Sequence, residues 1–333
     1  MELKELIKEP ETITFITTYK CSSACSNCCF QCSPKRNETL SLKNIINCLE
    51  QVKKDFPKIK VMVLTGGECT LLKYLSELIK IAHEKYNLRV RIVTNAHWAS
   101  NYENAKKKII DWKKAGLNEI NFSTGDEHLQ YVPFEYIKNA IMASVEEDFI
   151  PFVNIEALEG HKFNANNLIN DKNIYNLIKE KKVSIMNGVW IDFKNPNAEV
   201  DKSGFMYSMG QKCSNLFNNI TITPDYRIKA CCGITSNNIR YLDLGNPAKY
   251  PLRKLYDKQF LDFMKIWLAT EGAHKIMNFI AQYDKSIELC HYERKHPCQV
   301  CAMILNNPQR MDIIRNQYKS IYSNIIMKYL INH

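Results

Sequence analysis

The sequence predicts an α/β fold: a partial, TIM-like (β/α)6 barrel over residues 1–200 and a small cysteine-rich module over residues 201–333. Three observations predict it. Strand-like and helix-like segments alternate from residue 12 to about residue 191. That alternation stops after about residue 200. The 13 cysteines fall in two groups, seven from Cys21 to Cys69 and six from Cys213 to Cys301. Repeated βα units imply a parallel sheet, and six units are fewer than the eight of a full barrel.

Thr12–Thr18 is rich in β-formers and reads as the first strand. Leu42, Ile45, Ile46, Leu49 and Val52 then recur at helical spacing. Lys60–Leu64 reads as a buried strand ending at Gly66-Gly67, and Leu71, Leu75, Leu78, Ile79 and Ala82 mark the next helix. The pattern continues through strand Leu88–Thr94, helix Ala105–Lys114, strand Glu119–Ser123 and helix Phe134–Val145. Strand Pro151–Ala157, helix Leu168–Glu180 and strand Val183–Ile191 complete it. Beyond residue 200, Ile220–Thr223 and Tyr226–Ala230 flank Thr223-Pro224-Asp225 and read as a hairpin. Gln259–Tyr283 and Met311–Leu330 read as helices.

Composition removes several function classes. The chain is long enough for a large core and needs no disulfide staples. Residues 1–20 lack the basic, apolar and small-residue succession of a signal peptide, and no run of 18 apolar residues forms a membrane span. A reducing, cytoplasmic location is therefore expected, where clustered cysteines are ligands or catalysts. The net charge of +10 suits an acidic partner, but the lysines lie in short patches such as Lys106–Lys108, as on solvated helix faces, so nucleic-acid binding is not expected. No phosphate loop or serine-hydrolase elbow is present.

Cys21, Cys25 and Cys28 form C-x3-C-x2-C just past the first strand, at the sheet end where parallel α/β barrels carry their active sites. Three thiolates hold three irons of a four-iron cluster and leave the fourth iron open. The competing structure is a zinc knuckle, with Cys29 or Cys32 as fourth ligand. Further motifs follow the next strands: Gly66-Gly67-Glu68, Thr94-Asn95, and Ser123, Thr124 and Asp126. In this order the residues resemble the radical S-adenosylmethionine (SAM) superfamily over roughly residues 12–191. The resemblance implies that Cys21, Cys25 and Cys28 hold the catalytic cluster and that Gly66, Gly67 and Glu68 meet the SAM amino group. It also implies ribose contacts from Asn95, Ser123, Thr124 and Asp126. Where the superfamily often has a Gly-Arg-Ala-like stretch, this chain has Lys194-Asn195-Pro196-Asn197-Ala198, so Asn154 and Glu156 become candidates toward the SAM carboxylate.

Among the later cysteines, Cys298-x2-Cys301 is a tight chelate pair. Cys213 and one of Cys231 and Cys232 complete a four-thiolate set, with Cys290 the alternative to Cys213 and zinc the alternative to iron-sulfur. Adjacent residues on an extended strand point to opposite sides, so Cys231 and Cys232 should diverge. His97, Trp98 and His128 lie on loops at the active face and are candidates to shape a pocket.

In detail the chain resembles the peptide epimerases of epipeptide biosynthesis (YydG type), which carry a SPASM/twitch-like auxiliary cluster module. The matching features are Cys28-Cys29-Phe30, Thr65–Glu68, Asn95 with Trp98, Asp126-Glu127, and the order Cys213, Cys231-Cys232, Cys298 and Cys301. The resemblance implies two four-iron clusters, the auxiliary one on Cys213, Cys231, Cys298 and Cys301. It implies that a 5′-deoxyadenosyl radical takes the Cα hydrogen of an L-residue in a ribosomally made peptide, and that Cys232 returns a hydrogen from the opposite face. A reductant such as flavodoxin or ferredoxin is the implied partner. Only about eleven residues precede the first strand, so peptide recognition is expected at the barrel mouth or through a separate protein. The alternatives are a cross-linking or oxidative peptide maturase of the same superfamily and, more remotely, a zinc-organised nucleic-acid-binding protein.

Overall fold

The structure is a computed structural model that describes residues 7–157, 160–193, 211–293 and 295–332. The division at residue 200 and the stretch Lys194–Ala198 lie outside these residues. Six strands alternate with helices: β1 (Thr12–Ile16), β2 (Val61–Thr65), β3 (Arg89–Thr94), β4 (Leu117–Thr124), β5 (Phe152–Ala157) and β6 (Ser184–Val189). The intervening helices are α1 (Leu42–Asp55), α2 (Leu75–Glu84), α3 (Tyr102–Lys114), α4 (Phe134–Glu146), α5 (Ala165–Ile169) and α6 (Lys172–Lys179). All six strands are parallel neighbours in the order β6-β5-β4-β3-β2-β1.

Strand alternation divides the sheet into two environments. Ile13, Phe15, Met62, Leu64, Val90, Ile92, Ile120 and Phe122 are buried in the main apolar core, together with Ile45, Leu49, Leu78, Ile79 and Ile109 of the helices. Thr12, Thr14 and Ile16 of β1, Val63 and Thr65 of β2, and Arg91 and Val93 of β3 alternate with these residues and line an interior cavity. The helices thus seal the outer face, and the inner face is left for chemistry.

The C-terminal region joins the barrel sheet. β7 (Asn219–Ile222) pairs in parallel with β1, from Thr12↔Asn219 to Phe15↔Ile222. β8 (Ile228–Lys229) and β9 (Asp243–Gly245) continue antiparallel, giving one mixed nine-stranded sheet with β6 and β9 as its edges. The sheet stays open, and the predicted hairpin is an extension of the barrel sheet.

Three predicted helices are broken, two of them at an N-capping aspartate. Asp171 accepts from the backbone N–H groups of Asn173 and Ile174, starting α6 and ending the run through 168–180. Asp262 likewise caps α8 (Phe263–Ile280), so 258–261 is a 3-10 turn, after the short α7 (Leu252–Asp257). The 311–330 run divides into α10 (Pro308–Gln317) and α11 (Tyr322–Ile331). A helix not expected, α9 (Pro297–Leu305), carries Cys298 and Cys301, and its sequence signal is Pro297 at the first turn. Phe217, Phe260 and Tyr329 join these helices to the sheet, with Phe217 stacked on Phe260 at 4.4 Å.

Inside α8, Gly272 adopts φ 79° and ψ 169°, a region essentially confined to glycine. A Cβ there would overlap the Gln211 carbonyl oxygen, so Gly272 lets the 211–218 segment lie against α8, where the Cys213 N–H donates to the Leu268 carbonyl at 3.1 Å. Gly272→Ala is expected to cost about 2 kcal/mol or more, read as a lower urea midpoint. An unchanged midpoint would show that this contact does not anchor the segment.

Candidate active site and cysteine cavities

The loop after β1 is fastened on both sides. Across it the Ser33 N–H donates to the Tyr19 carbonyl at 3.2 Å, and the Cys21 N–H donates to the Ser33 carbonyl at 3.1 Å. Beneath it the Gly67 N–H donates to the Thr18 carbonyl at 2.6 Å and the Glu68 N–H to the Lys20 carbonyl at 3.0 Å. A Cβ on Gly66 or Gly67 would collide with those same carbonyl oxygens. The two glycines are therefore required for the main chain after β2 to lie directly under the cysteine loop.

Glu68 differs from its expected role. It is fully buried, and its carboxylate accepts from Thr94 Oγ1 (2.8 Å), the Asn95 N–H (2.8 Å), the Thr70 N–H (3.1 Å) and Thr70 Oγ1 (2.6 Å). It joins the ends of β2 and β3 and does not line the cavity, whereas Gly66 and Gly67 do. Asn95 carries the connection onward: its Nδ2 donates to Ser22 Oγ (3.0 Å) and Ser23 Oγ (3.1 Å) in the cysteine loop.

A cavity of about 230 Å³ opens at the C-terminal ends of the strands. It gathers Cys21, Cys25 and Cys28 with Gly66, Gly67, Asn95 and Ser123. Thr94, His128, Asn154 and Trp190 also line it. Asn154 Oδ1 is buried without a partner, an acceptor free for a ligand's donor. Thr124 and Asp126 are not in the lining. Thr124 Oγ1 is buried unpartnered, and Asp126 accepts from the backbone N–H groups of Lys162 (2.6 Å) and Phe163 (2.9 Å), closing the loop after β5. Of the three loop aromatics expected at the pocket, only His128 reaches it. Trp98 is buried, with its Nε1 donating to Thr94 Oγ1 at 3.0 Å, and His97 lies outside the lining.

Sequence reasoning missed two supports. Glu127 accepts from the Asn27 N–H (2.9 Å) and Asn27 Nδ2 (2.6 Å), tying the cysteine loop to the end of β4. Glu156, almost fully buried, meets His128 Nδ1 at 2.6 Å and the Glu127 N–H, and Gly125 makes room for it because a Cβ there would strike the Glu156 side chain. Asp126-Glu127, His128 and Glu156 each stood out in the sequence, but nothing local showed that they bond to one another and to Asn27.

The three thiols have different surroundings. Burial pushes Cys21 up to about 11 and pushes Cys25 higher still, with Glu156 beside it adding repulsion. A hydrogen bond from Cys32 lowers Cys28 to about 6. Crowded thiols of this kind favour a cation that neutralises their charge.

A second cavity, of about 180 Å³, is lined by Cys213, Cys231, Cys298 and Cys301. Cys298 and Cys301 lie one turn apart on α9, whose first turn is capped by His296 accepting the Cys298 N–H at 3.0 Å. Gly233 completes the cradle, since a Cβ there would come within 3.1 Å of Cys298 Sγ. Burial raises all four thiols, Cys298 to about 12, and for Cys231, Cys298 and Cys301 repulsion from Cys213 comes next. Cys290 is exposed and lies outside this lining. Among the described residues, the one set of three metal-capable donors mutually within 4.8 Å is Glu288, Cys290 and His291. No three of the four cavity sulfurs are that close, whereas a tetrahedral zinc needs sulfurs about 3.8 Å apart.

Cys232 turns the other way. It lines the interior cavity of about 450 Å³ together with Cys29, Phe30, Thr65 and Val93, and these four also line the cavity of Cys21, Cys25 and Cys28. The Cys232 thiol donates to Asn215 Oδ1 at 3.7 Å, and burial lifts it to about 11, so it holds its proton at neutral pH.

Glu68→Gln is expected to lower stability by about 1–3 kcal/mol, because an amide N–H₂ then faces at least one donor that the carboxylate accepts from. Chemical denaturation measures this, and wild-type stability would remove Glu68 from the support of the site.

No curated protein is significantly similar to the chain in sequence. Solved structures share its fold. Native anSMEcpe with bound AdoMet aligns over 96% of this chain and 99% of its own at TM-score 0.56 and 12% identity. Its complex with AdoMet and the Cp18Cys peptide aligns over 97% and 100% at 0.53 and 11%. BtrN in complex with AdoMet and 2-DOIA aligns over 81% and 91% at 0.51 and 12%. Residues 15–124, from β1 through the cysteine loop to the end of β4, match the Radical SAM superfamily model. Residues 15–124 thus carry a radical SAM domain, and the protein is an enzyme with radical-SAM-dependent activity.

Proposed function

We propose that this enzyme converts L-residues of a ribosomally made peptide into D-residues. The observation that carries the reading is the divergence of Cys231 and Cys232: Cys231 joins three other cysteines around one cavity, and Cys232 faces another that shares a wall with the catalytic cavity. A thiol used for hydrogen return must be unligated and protonated, and Cys232 is apart from the four-cysteine set. The complex of anSMEcpe with a peptide shows that a relative of this fold holds a peptide.

In this reading Cys21, Cys25 and Cys28 hold the catalytic cluster. The Gly66-Gly67 backbone, Asn95, Ser123 and Asn154 hold SAM. Cys213, Cys231, Cys298 and Cys301 hold the auxiliary cluster. When bound, the catalytic cluster and SAM supply the one-electron chemistry that removes a hydrogen atom from an unactivated carbon. Cys232 stores the replacement hydrogen on Sγ and gives it to the planar Cα from the opposite face, which inverts the residue. One S–H bond breaks and one C–H bond forms. The sulfur is then short of one electron and one proton, and a donor such as flavodoxin or ferredoxin supplies the electron. Asn215 positions the thiol as its acceptor. Glu127 and Glu156 hold the cysteine loop and His128 at the cavity mouth. The reading places the enzyme in the cytoplasm, and no helix among the described residues is long and apolar enough to cross a membrane. A zinc-organised nucleic-acid-binding protein does not fit a radical SAM domain.

Turnover of a candidate peptide in deuterated water should add about one mass unit per inverted residue, with D-residues found after hydrolysis. Loss of two hydrogens instead would replace inversion with cross-linking. Cys232→Ala should abolish inversion, a drop of at least about 100-fold, while SAM is still cleaved. Inversion at the wild-type rate would exclude this thiol.

The two cysteine sets should also separate in iron content. Replacing Cys21, Cys25 and Cys28 with Ala should leave about four irons per chain, and so should replacing Cys298 and Cys301 with Ala. Unaltered iron in the second variant, or zinc found in its place in the wild type, would remove the auxiliary cluster.

A further inference from the structure

A groove of about 980 Å³ lies far along the sheet from the catalytic cavity, bounded by β9, the turn at 258–262, the start of α8, and α10 with the start of α11. We propose that it docks an acidic, extended segment of the peptide substrate, separate from the residues that enter the cavity. This rests on the peptide reading above and adds where the enzyme holds its substrate.

The groove has an aromatic floor. The Phe263 ring lies 5.3 Å from Tyr318 and 5.2 Å from Tyr322, and Leu261 stands 71% exposed at its rim. Such a patch offers anchors for apolar side chains. Its charge is one-sided. Both acids in the lining are neutralised from within: Asp243 takes a two-point bond from Arg227 at 2.5 and 2.9 Å, and Asp262 pairs with Lys265 and accepts from the Tyr241 hydroxyl at 2.8 Å. Among the cations, Arg315 pairs with Asp312, while Lys258 and Lys319 have no acidic partner among the described residues. The surplus is positive, as is the whole chain at +10, so carboxylates are the complementary ligand chemistry.

The backbone offers the third element of recognition. Among the described residues β9 has β8 on one side and no strand on the other, an edge open to an added strand. β7 is parallel to β1, and β8 and β9 are successively antiparallel, so β9 runs in the same direction as β1. Its C-terminal end therefore faces the same way as the cysteine loop. Three strand spacings separate β9 from β1, roughly 15 Å, which an extended chain crosses in about five residues. A peptide anchored here brings a short downstream stretch to the cavity, and binding energy far from the reacting carbon holds it there.

Fluorescence anisotropy on the cluster-loaded enzyme tests this with a labelled synthetic peptide alternating Glu with Leu and Phe, against the same peptide with Lys for Glu. The Glu peptide should bind at least about tenfold more tightly and weaken as salt rises. The double variant Lys258→Glu, Lys319→Glu should lose about tenfold or more, and Leu261→Asp should weaken binding as well without affecting folding, since Leu261 is exposed. Equal binding of the two peptides, or an unchanged affinity in the double variant, overturns the proposal. So does a dimer of the wild type that Leu261→Asp dissociates, because a second copy then covers the groove. Binding is read without turnover: a wild-type enzyme that binds the Glu peptide but leaves the candidate peptide uninverted in deuterated water keeps the docking site standing and defeats only the epimerase reading.

Discussion

The cavity of Cys21, Cys25 and Cys28 hangs from one buried carboxylate. Glu68 leaves the end of β2, and its oxygens collect donors from Thr70, Thr94 and the Asn95 backbone. Asn95 in turn grips the two serines next to Cys21. A buried carboxylate is costly unless its lone pairs are filled, so the network is coupled: each member needs the others to stay in place. The glycines before Glu68 make the geometry possible by letting main chain pack on main chain. Strand ends, cysteine loop and ligand-facing amides are thereby held as one rigid rim, which suits a reaction that depends on position more than on acid-base strength.

The second constraint is the pairing of β7 with β1. That register makes the C-terminal region part of the same sheet and carries the Cys231-Cys232 corner to the inner side of the barrel. The 211–218 segment, pressed against α8 at Gly272, brings Cys213 to one side of that corner and Asn215 to the other. Two cysteine cavities with different exposure to the barrel interior result from this one arrangement of backbone.

Much of this was legible in advance. The six βα units followed from apolar periodicity, and their ends were read to within a few residues because buried parallel strands are short runs of apolar residues closed by polar or glycine positions. Spacing and strand alternation pointed to Cys298, Cys301, Cys213 and one of a diverging Cys231-Cys232 pair, while the choice of Cys231 came only from the family resemblance; in the structure Cys231 lines one cavity and Cys232 another. Other roles were not legible. Glu68 and Asp126 are polar residues at the right strand ends, but their carboxylates turn to internal donors, and a motif does not reveal which donors a side chain will meet. Trp98 looked like a pocket residue and is a strut under Thr94. The broken helices at Asp171 and Asp262 show local capping overriding a continuous apolar pattern.

By itself the sequence determined the order of elements, the thiol-rich chemistry and the pattern of side chains facing each way along each strand, because these depend on local periodicity and on ligand type. Only the tertiary structure decided which polar groups remain free toward the cavity, that β7 extends the barrel sheet, and that the basic, aromatic groove sits at the sheet's open edge. Those outcomes depend on contacts between residues far apart in the chain, such as Thr12 with Asn219 and Asn27 with Glu127, and no local pattern encodes the partner of a buried donor or acceptor.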